Sequence, residues 1–295
     1  MTIDFTVDSS APLRLDRAIR LHFPDWGRQA IQKLIASQDV KVNGRTVWLA
    51  SWEVRKGDRI VLSNPPQALA PGPQRFEDAW LLEDTGEILA VNKPAGLLSE
   101  PTRWGEGVNL RDLAIQRFGP LILFHRLDRD TSGVILLTRP GEINKILDAA
   151  FKSHQIQKEY VALVHAPNRL AASGMIDLRL DSDPQRRDKM RVVEKGGKRA
   201  ITRYEVEASA NGVQQVRLWP QTGRTHQLRL HLAHNGAPIL GDRLYGNAQS
   251  AFRLMLHAHQ ISVPVDSTGN IKSFVAPLPN EFSTLLHTSI KTDSK

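Results

Sequence analysis

Cysteine is absent from this chain of 295 residues. Its absence excludes disulfides, thiolate metal sites and cysteine nucleophiles, and it is consistent with a reducing cytosol. Long apolar runs are also missing, since none approaches the roughly 18 residues that a membrane span requires. The first residues, MTIDFTVDSS, carry acidic side chains where a secretory signal carries a basic and then an apolar segment. We therefore expect a soluble, cytoplasmic protein that has no membrane partner.

Familiar catalytic signatures are missing as well. The chain contains neither a Walker phosphate loop nor a GxSxG nucleophile elbow. His226 and His231 lie on one predicted helix, but their spacing places them about 140° apart around its axis. No Asp or Glu nearby completes a ligand set, so we expect no metal ion. Ser132 shares a loop with His125 and Asp128, yet nothing around it predicts the oxyanion hole of a hydrolytic triad.

Basic residues are in excess. Lys and Arg total 39 against 31 Asp and Glu, which gives a net charge of +8 and a pI near 9.9. Such an excess favours an anionic polymer as partner. It is concentrated in residues 186–203, which contain Arg186, Arg187, Lys189, Arg191, Lys195, Lys198, Arg199 and Arg203. Only Asp188 and Glu194 oppose them there. The stretch is either a solvated hairpin or an arm that contacts phosphates, and the overall charge favours the arm.

The first 63 residues have the pattern of a small α/β unit. LDRAIRLHF places its apolar residues on one helical face, and a second helix is predicted from about Arg28 to Ser37. VKVNGRTV alternates around Asn43-Gly44, a tight-turn signal, and KGDRIVL predicts a turn followed by a strand. In RLD, QAIQKLIAS, VKVNG and KGDRI the stretch resembles the RNA-binding module first described in ribosomal small-subunit protein four. The resemblance implies a small RNA-binding domain at 1–63, and the alternative is an unrelated α/β unit.

A proline-rich linker is predicted after this unit. NPPQALAPGPQ, residues 64–74, has four prolines among eleven residues, which neither a helix nor a central strand tolerates. We therefore place a linker at 64–79 and a second, larger domain at 80–290.

The second domain shows both strand and helix patterns. Two short strands are predicted around Asp84-Thr85-Gly86, VILLT at 134–138 predicts a buried strand, and residues 142–153 have helical spacing. KEYVALVH predicts a strand, and RYEVEA with VQQVRLWP predicts a hairpin across Asn211-Gly212. THQLRLHLAHNG predicts a helix that is capped by Thr225 and stopped by its Asn-Gly. The predicted fold class is α+β, a large mixed, mainly antiparallel sheet flanked by helices and preceded by the small α/β domain.

The stretch HRLDRDTSGVILLTR, residues 125–139, places Asp128 between Arg126 and Arg129, directly before the predicted buried strand. Such a carboxylate is either a structural ion pair at the entrance of a strand or a reaction centre. The stretch resembles the signature of the RluA-type pseudouridine synthases, in which HRLD is followed by two residues and TSG. VNKPAGLL, QKEYVALV, GRTHQLRLHLAHNGAPILGD and LMLHAHQISV resemble further motifs of that family, in order. The resemblance covers nearly all of residues 80–265.

The resemblance implies isomerisation of uridine in RNA. The C1′–N1 glycosidic bond breaks, the uracil turns and C5 joins C1′, which requires neither metal nor cofactor. Asp128 matches the essential aspartate of the family, implied to act as nucleophile or base at the ribose or the uracil. Tyr160 is implied to stack on the target base and to take the C5 proton, and Arg229 to pair with Asp128. From the residues alone, Tyr160 also fits a core aromatic and Arg229 a solvent-facing helix position.

Further contacts follow from the same resemblance. Arg126 is implied to enter the space left by the extruded nucleotide, and Leu256 to pack on the other face of the base. The predicted substrate-binding set also includes Arg224, His226, Gln227, Thr131 and Ser132. Contacts with the RNA backbone are predicted at Arg186, Arg187, Lys189, Lys198 and Arg199. Trp104, in the loop 101–110, matches no family pattern and either stacks on RNA or caps the core.

The family modifies large-subunit ribosomal RNA, transfer RNA or both, and the amino-terminal module favours ribosomal RNA. A non-catalytic RNA-binding or ribosome-assembly protein would not need Asp128, Tyr160 and Arg229 together. A nucleoside hydrolase would release free base, which an isomerase retains. We expect a monomeric RNA pseudouridine synthase that acts on ribosomal RNA, with transfer RNA as the alternative substrate.

Overall fold

The computed structural model describes residues 2–23, 26, 28–63, 73–101, 107–153, 155–166, 170–186, 188–247 and 250–287. The chain divides into two compact units: the first comprises Met1–Gln74 and Gly105–Gly107, the second Arg75–Trp104 and Val108–Lys295. The division at residue 74 falls inside the predicted linker, of which residues 64–72 lie outside the described part of the chain.

The first unit contains two short helices and small antiparallel sheets that share one apolar core. Its described elements are β1 (Thr2–Thr6), β2 (Leu13–Arg14), α1 (Leu15–His22), α2 (Arg28–Ala36), β3 (Val40–Val42), β4 (Arg45–Thr46), β5 (Glu53–Val54) and β6 (Arg59–Ser63). Strands β1, β6, β3 and β4 form one sheet in that order, and β2 pairs with β5.

The periodicity of the sequence explains these elements. Helix α1 buries Leu15, Ala18 and Ile19 on one face, as its apolar spacing predicts. Strands β3 and β4 are joined by Asn43-Gly44, where φ is 49° and 83°, as a type I′ hairpin turn requires. Both helices and the hairpin are therefore confirmed, while RNA binding by this unit stays a prediction.

The second unit consists of one large sheet with helices against it. Its described elements are β7 (Leu81–Asp84), β8 (Ile88–Lys93), α3 (Leu110–Phe118), β9 (Ile122–Leu123), β10 (Ser132–Thr138), α4 (Ile143–Lys152), β11 (Gln157–His165), β12 (Ser173–Ser182), β13 (Met190–Val193), β14 (Lys198–Ala210), β15 (Val213–Pro220), α5 (Gln227–His234), β16 (Leu256–Pro264), β17 (Ile271–Val275) and α6 (Asn280–His287). No helix in the described part of the chain is long and apolar enough to cross a bilayer.

The large sheet has eleven strands. Its main path runs β13-β12-β14-β15-β11-β16-β10-β8-β7, with β17 beside β16 and β9 beside β10. Among the described strands every pair is antiparallel except β10 with β16. The predicted α+β class with a mainly antiparallel sheet is confirmed.

Strand β10 is buried along its whole length, as VILLT predicts. It lies between β8 and β16, and its first residues pair with β16. Gly133 has a φ of 117°, and a Cβ at this position would lie 2.2 Å from the carbonyl oxygen of Ala258 in β16. Only glycine allows the two strands to approach this closely. The loop that carries Asp128 leads directly into this junction.

The start of α5 and the presence of helix α3 differ from the sequence expectations. The helix begins at Gln227, and its cap is His226, which has a left-handed backbone with a φ of 54°. The predicted cap role of Thr225 is therefore wrong, because the chain turns one residue later than the Thr pattern indicates. Helix α3 was not predicted, and only three of its nine residues are buried, which leaves a weak periodicity.

Gly133→Ala is expected to destabilise the protein, because the methyl group collides with backbone inside a sheet and alanine disfavours this φ. We expect the free energy of unfolding to fall by about 3 kcal/mol or more in denaturant titrations. Gly141→Ala is the matched control, since a Cβ there would find no atom closer than 4.0 Å. Equal stability of the two variants would contradict the close approach of the strands.

Candidate active site

A cavity of about 430 Å³ lies where the loop before β10 meets β11, the β15–α5 loop and the start of β16. Nine of the predicted site residues line it: Arg126, Asp128, Thr131, Tyr160, Arg224, His226, Gln227, Arg229 and Leu256. These residues come from stretches up to about 130 positions apart in the chain. The fold therefore brings most of the predicted site together in one place.

Asp128 is the only carboxylate among the described residues that line the cavity. Its side chain is 32% exposed, so one part of the carboxylate faces solvent or a ligand. Oδ2 lies 3.6 Å from Nη1 of Arg229 and 3.8 Å from Nε2 of His226. Both distances exceed hydrogen-bonding range, so the neighbours act on Asp128 through charge and dipole.

Arg229 makes its strong pair with another residue, Asp242. Its Nε and Nη2 donate to the two oxygens of Asp242 at 2.8 and 2.7 Å, and both side chains are almost completely buried. Burial alone would raise the pKa of Asp242, but the hydrogen bonds from Arg229 and from the amides of Leu244 and Tyr245 outweigh it and leave the pKa below its usual value. Asp242 thus holds Nε and Nη2 of Arg229, and the remaining nitrogen, Nη1, points towards Asp128. The predicted pairing with Asp128 is present as this longer contact.

Asp242 had no predicted role. It is the last residue of GRTHQLRLHLAHNGAPILGD, a stretch that resembles a family motif. An acidic residue at the end of such a motif is the feature from which a role for Asp242 could have been predicted. Sequence spacing alone does not show that it meets Arg229, because the two are 13 positions apart and a turn separates them.

His226 lies between Asp128 and Tyr245. Its Nδ1 is 3.0 Å from the Tyr245 hydroxyl, and the two rings meet edge to face at 5.7 Å. Burial lowers the pKa of His226, although the negative charge of Asp128 opposes the shift. The imidazole is therefore neutral near pH 7.

Tyr160 and Leu256 line the cavity from neighbouring strands, β11 and β16. The two strands are antiparallel, with Tyr160 opposite Ala258 and Ala162 opposite Leu256. Burial raises the pKa of Tyr160, and the charge of Asp128 adds to the shift, so the phenol keeps its proton. The pair presents an aromatic ring and an aliphatic side chain to the cavity.

Ser132 does not line the cavity. Its hydroxyl is buried, lies 2.9 Å from Nδ1 of His257 and accepts a hydrogen bond of 3.3 Å from Nη1 of Arg253. These contacts bind the start of β10 to β16 and the segment before it. The geometry therefore gives Ser132 a supporting position and offers no route to its predicted substrate contact. Thr131 is buried too, but it reaches the cavity wall.

Gln227 lines the cavity, but its amide is already used by the protein. Its Nε2 donates to the carbonyl of Ile201 at 2.9 Å and to the hydroxyl of Thr202 at 3.0 Å. Its Oε1 accepts from the amide of Arg224, whose own Nε donates to the carbonyl of Arg199. Gln227 thus anchors the β15–α5 loop on β14.

Arg126 and Arg129, which flank Asp128 in HRLDR, have separate contacts. Arg126 is 70% exposed and pairs with Glu100 at 3.2 Å. Arg129 donates from Nε to the carbonyl of Gly96 at 3.0 Å. Arg126 can therefore exchange its partner for a ligand, whereas Arg129 stabilises the loop.

Lys93 holds the same loop from inside. It is fully buried, and its ammonium group donates to the carbonyls of Pro94, Leu97 and Arg129 at 2.9, 2.8 and 3.0 Å. Burial lowers the pKa of Lys93 to about 7, against the charges of nearby carboxylates that include Asp128. Three carbonyls match the three donors of an ammonium group, so Lys93 ties two loops together beneath the site. It is the last residue of β8 and lies in VNKPAGLL, one of the stretches that resemble family motifs.

Lys158 is a further cation that lines the cavity. It lies two residues before Tyr160, and its Nζ is 5.1 Å from the ring centroid of Phe151. Burial lowers its pKa. No role was predicted for Lys158, although it lies in QKEYVALV, which resembles a family motif.

The basic hairpin is the stretch predicted at residues 186–203, and it includes β13 and the first residues of β14. Two of its predicted RNA contacts are already paired: Arg186 with Asp188 at 3.0 Å and Arg199 with Asp177 at 2.5 Å. These ion pairs are exposed and can open at little cost.

The other predicted backbone contacts differ in setting. Lys198 is exposed at the start of β14, and Nζ of Lys189 lies 5.3 Å from the ring centroid of Tyr245. Arg187 and Trp104 lie outside the described residues. In the described ranges, no group of three or more His, Cys, Asp or Glu is placed to hold a metal ion.

Comparisons with known proteins found a matching family model, related sequences and related structures. Residues 87–234 match the family model described as RNA pseudouridylate synthase. Ribosomal large subunit pseudouridine synthase D of Borreliella burgdorferi is 31% identical over 98% of this chain and 93% of its own length. Dual-specificity RNA pseudouridine synthase RluA of Escherichia coli K12 is 39% identical over 72% of this chain and 96% of its own. The structure of human RNA Pseudouridylate Synthase Domain Containing 4 has a TM-score of 0.57 and 27% identity, and covers 70% of this chain and 92% of that one.

Two buried histidines outside the cavity predict acid sensitivity. Burial lowers the pKa of His231 and of His257 to about 4, so the unfolded chain binds more protons between pH 6.5 and 4. Stability is therefore lost as pH falls through that window. His231 is fully buried, with neither ring nitrogen hydrogen-bonded.

His231→Leu is expected to reduce the stability loss between pH 7 and pH 5 by about 2 kcal/mol, measured by denaturant titration at both pH values. His234→Leu, at an exposed position on the same helix, is the control and should change the pH dependence much less, because His234 acts on His231 only through its charge. The same pH dependence in both variants would show that burial of His231 contributes nothing to acid unfolding.

Proposed function

The chain belongs to the RluA-type family of RNA pseudouridine synthases, and we propose that Asp128 carries out its reaction on large-subunit ribosomal RNA. As a member of this family it is an isomerase that converts uridine to pseudouridine in RNA. The C1′–N1 bond breaks and a C1′–C5 bond forms. C5 gives up a proton and N1 gains one, so the reaction is balanced without a further reactant.

The state of Asp128 is the observation that supports this role. A bidentate pair with Arg229 would use both oxygens of the carboxylate. Here Asp242 takes that pair, and Arg229 approaches Asp128 with one nitrogen at 3.6 Å. Arg229 therefore brings a positive charge close to Asp128 and leaves the lone pairs of its carboxylate available to a substrate.

Two routes are open to this carboxylate. It either attacks C1′ of the ribose or acts at the uracil ring, and both routes require an ionised oxygen that reaches into the cavity. Uracil must first leave its stack, which costs a few kcal/mol. The ring of Tyr160 and the side chain of Leu256 would offset that cost by packing on the two faces of the base. Because Tyr160 is protonated, it serves as a stacking ring unless another group first removes its proton.

The relatives and the exposed cations guide the choice of RNA. The relative named for the ribosomal large subunit aligns over 98% of this chain and so includes its first unit, whereas the dual-specificity relative aligns over 72%. This difference favours ribosomal RNA, and the dual-specificity relative keeps transfer RNA as the second candidate. Arg126 would release Glu100 to occupy the place of the extruded nucleotide, and the basic hairpin would contact phosphates.

Asp128→Asn is expected to abolish isomerisation, because the amide can neither attack nor accept a proton. The measurement is release of tritium from RNA labelled at uridine C5, since formation of the C1′–C5 bond expels that atom. Asp130→Asn is the matched control, two residues away, exposed and not among the residues lining the cavity, and it should release tritium at the wild-type rate.

Ribosomal and transfer RNA pools are assayed separately to identify the substrate. Release only from transfer RNA would overturn the choice of ribosomal RNA. Undiminished release by Asp128→Asn would overturn the role of Asp128. If the wild-type protein binds RNA but releases no tritium from either pool, a non-catalytic RNA-binding protein would be favoured.

Salt dependence tests the basic hairpin. With Asp128→Asn as a non-reacting background, Lys198→Gln should lower the slope of log affinity against log salt by about 0.7 to 0.9, as expected for the loss of one phosphate contact. Arg199→Gln should change the slope less, because Arg199 already pairs with Asp177. A slope that neither substitution alters would place the RNA elsewhere.

A further inference from the structure

Tyr245 connects the basic hairpin to the surroundings of Asp128. Its hydroxyl accepts a hydrogen bond from the backbone amide of Met190, the first residue of β13, at 2.8 Å. The same oxygen lies 3.0 Å from Nδ1 of His226. On the ring, Cζ of Arg229 lies 5.3 Å from the centroid. One side chain therefore contacts the hairpin and both groups that face Asp128.

The direction of these hydrogen bonds follows from their chemistry. An amide can only donate, so the Tyr245 oxygen is the acceptor from Met190 and its own proton is free for His226. Burial raises the pKa of Tyr245, so the phenol keeps that proton. Burial lowers the pKa of His226, so the imidazole is neutral and has one nitrogen able to accept. With Nδ1 as the acceptor and the hydrogen on Nε2, the amide, the phenol proton and the imidazole lone pair each have a partner.

The tautomer of His226 determines whether Nε2 presents a hydrogen or a lone pair to Asp128. Nε2 lies 3.8 Å from Oδ2 of Asp128, so an N–H at this nitrogen presents the positive end of a dipole to the carboxylate. The other tautomer would present a lone pair and repel it. The charged groups that act on His226 are Asp128, Arg229, Asp242 and Asp188, and none of them fixes the proton on Nε2 through Nδ1. Tyr245 alone among the described contacts of Nδ1 does so.

We propose that Tyr245 is a positioning residue: it holds His226 in the Nε2–H tautomer that faces Asp128, and it couples this arrangement to the basic hairpin through the amide of Met190. The inference rests on the proposed roles of Asp128 and of the hairpin. RNA that binds and orders the hairpin would thereby favour the reactive arrangement of the site.

Tyr245→Phe tests the hydroxyl while keeping the ring over Arg229. In ¹⁵N NMR spectra, the wild-type His226 should show an unprotonated Nδ1 and a protonated Nε2, and the variant should show a share of the Nδ1–H form. We expect kcat for tritium release to fall on the order of tenfold with KM within about twofold, as for loss of a partner that orients a reacting group.

Met190→Pro tests the link to the hairpin, because proline lacks the donor and is tolerated at the first residue of a strand. Met190→Ala removes the same side chain but keeps the amide, so the difference between the two variants measures the amide alone. If the amide acts through Tyr245, Met190→Pro should lower kcat relative to Met190→Ala, and combining it with Tyr245→Phe should add no further loss.

The outcomes separate this inference from the proposed function. An unchanged tautomer in Tyr245→Phe would overturn the inference, whether or not kcat falls, and so would an unchanged kcat. Additive losses in the double variant would overturn the coupling to the hairpin. An active Asp128→Asn enzyme would overturn the proposed function, while the NMR comparison would still report on the bond between Tyr245 and His226.

Discussion

The buried pair between Arg229 and Asp242 is the interaction on which the site depends. A guanidinium group buried without a partner is costly, and the nearest alternative acceptor is Asp128. If Asp242 did not bind two of its nitrogens, Arg229 could pair with Asp128 and occupy the oxygens on which the role proposed for Asp128 depends. Asp242 thus separates two functions of one arginine. It satisfies the charge inside the protein and leaves a partial positive field at the cavity.

The backbone beneath Asp128 is as constrained as its partners. The parallel junction of β10 and β16 is so close that residue 133 must be glycine, and the hydroxyl of Ser132 is held at the same junction by His257. Lys93 fixes the loop from the other side through three carbonyls. A carboxylate on a loop is thereby held almost as firmly as one on a strand, as the role proposed for Asp128 requires.

Neutral imidazoles recur around this framework. His226, His231 and His257 all have pKa values lowered by burial, yet they serve different ends. His257 hydrogen-bonds with Ser132 and supports the fold, His226 faces the carboxylate, and His231 is buried without a hydrogen bond. The low dielectric that neutralises these rings also strengthens the electrostatic interaction of Arg229 with Asp128. Fold stability and chemistry therefore depend on the same burial.

The sequence by itself determined the local elements and the family to which the chain belongs. VILLT predicts β10, Asn43-Gly44 predicts a hairpin, and the motifs around Asp128, Tyr160 and Arg229 indicate the family, because periodicity, turn chemistry and motif spacing are written along the chain. Only the tertiary structure decided which polar groups meet. Arg229 finds Asp242 across a turn, and Ser132 finds a histidine 125 positions away. Such pairings depend on how strands and loops pack. The hydrophobic periodicity of a segment shows which face a residue occupies, but it does not show which residue packs against that face.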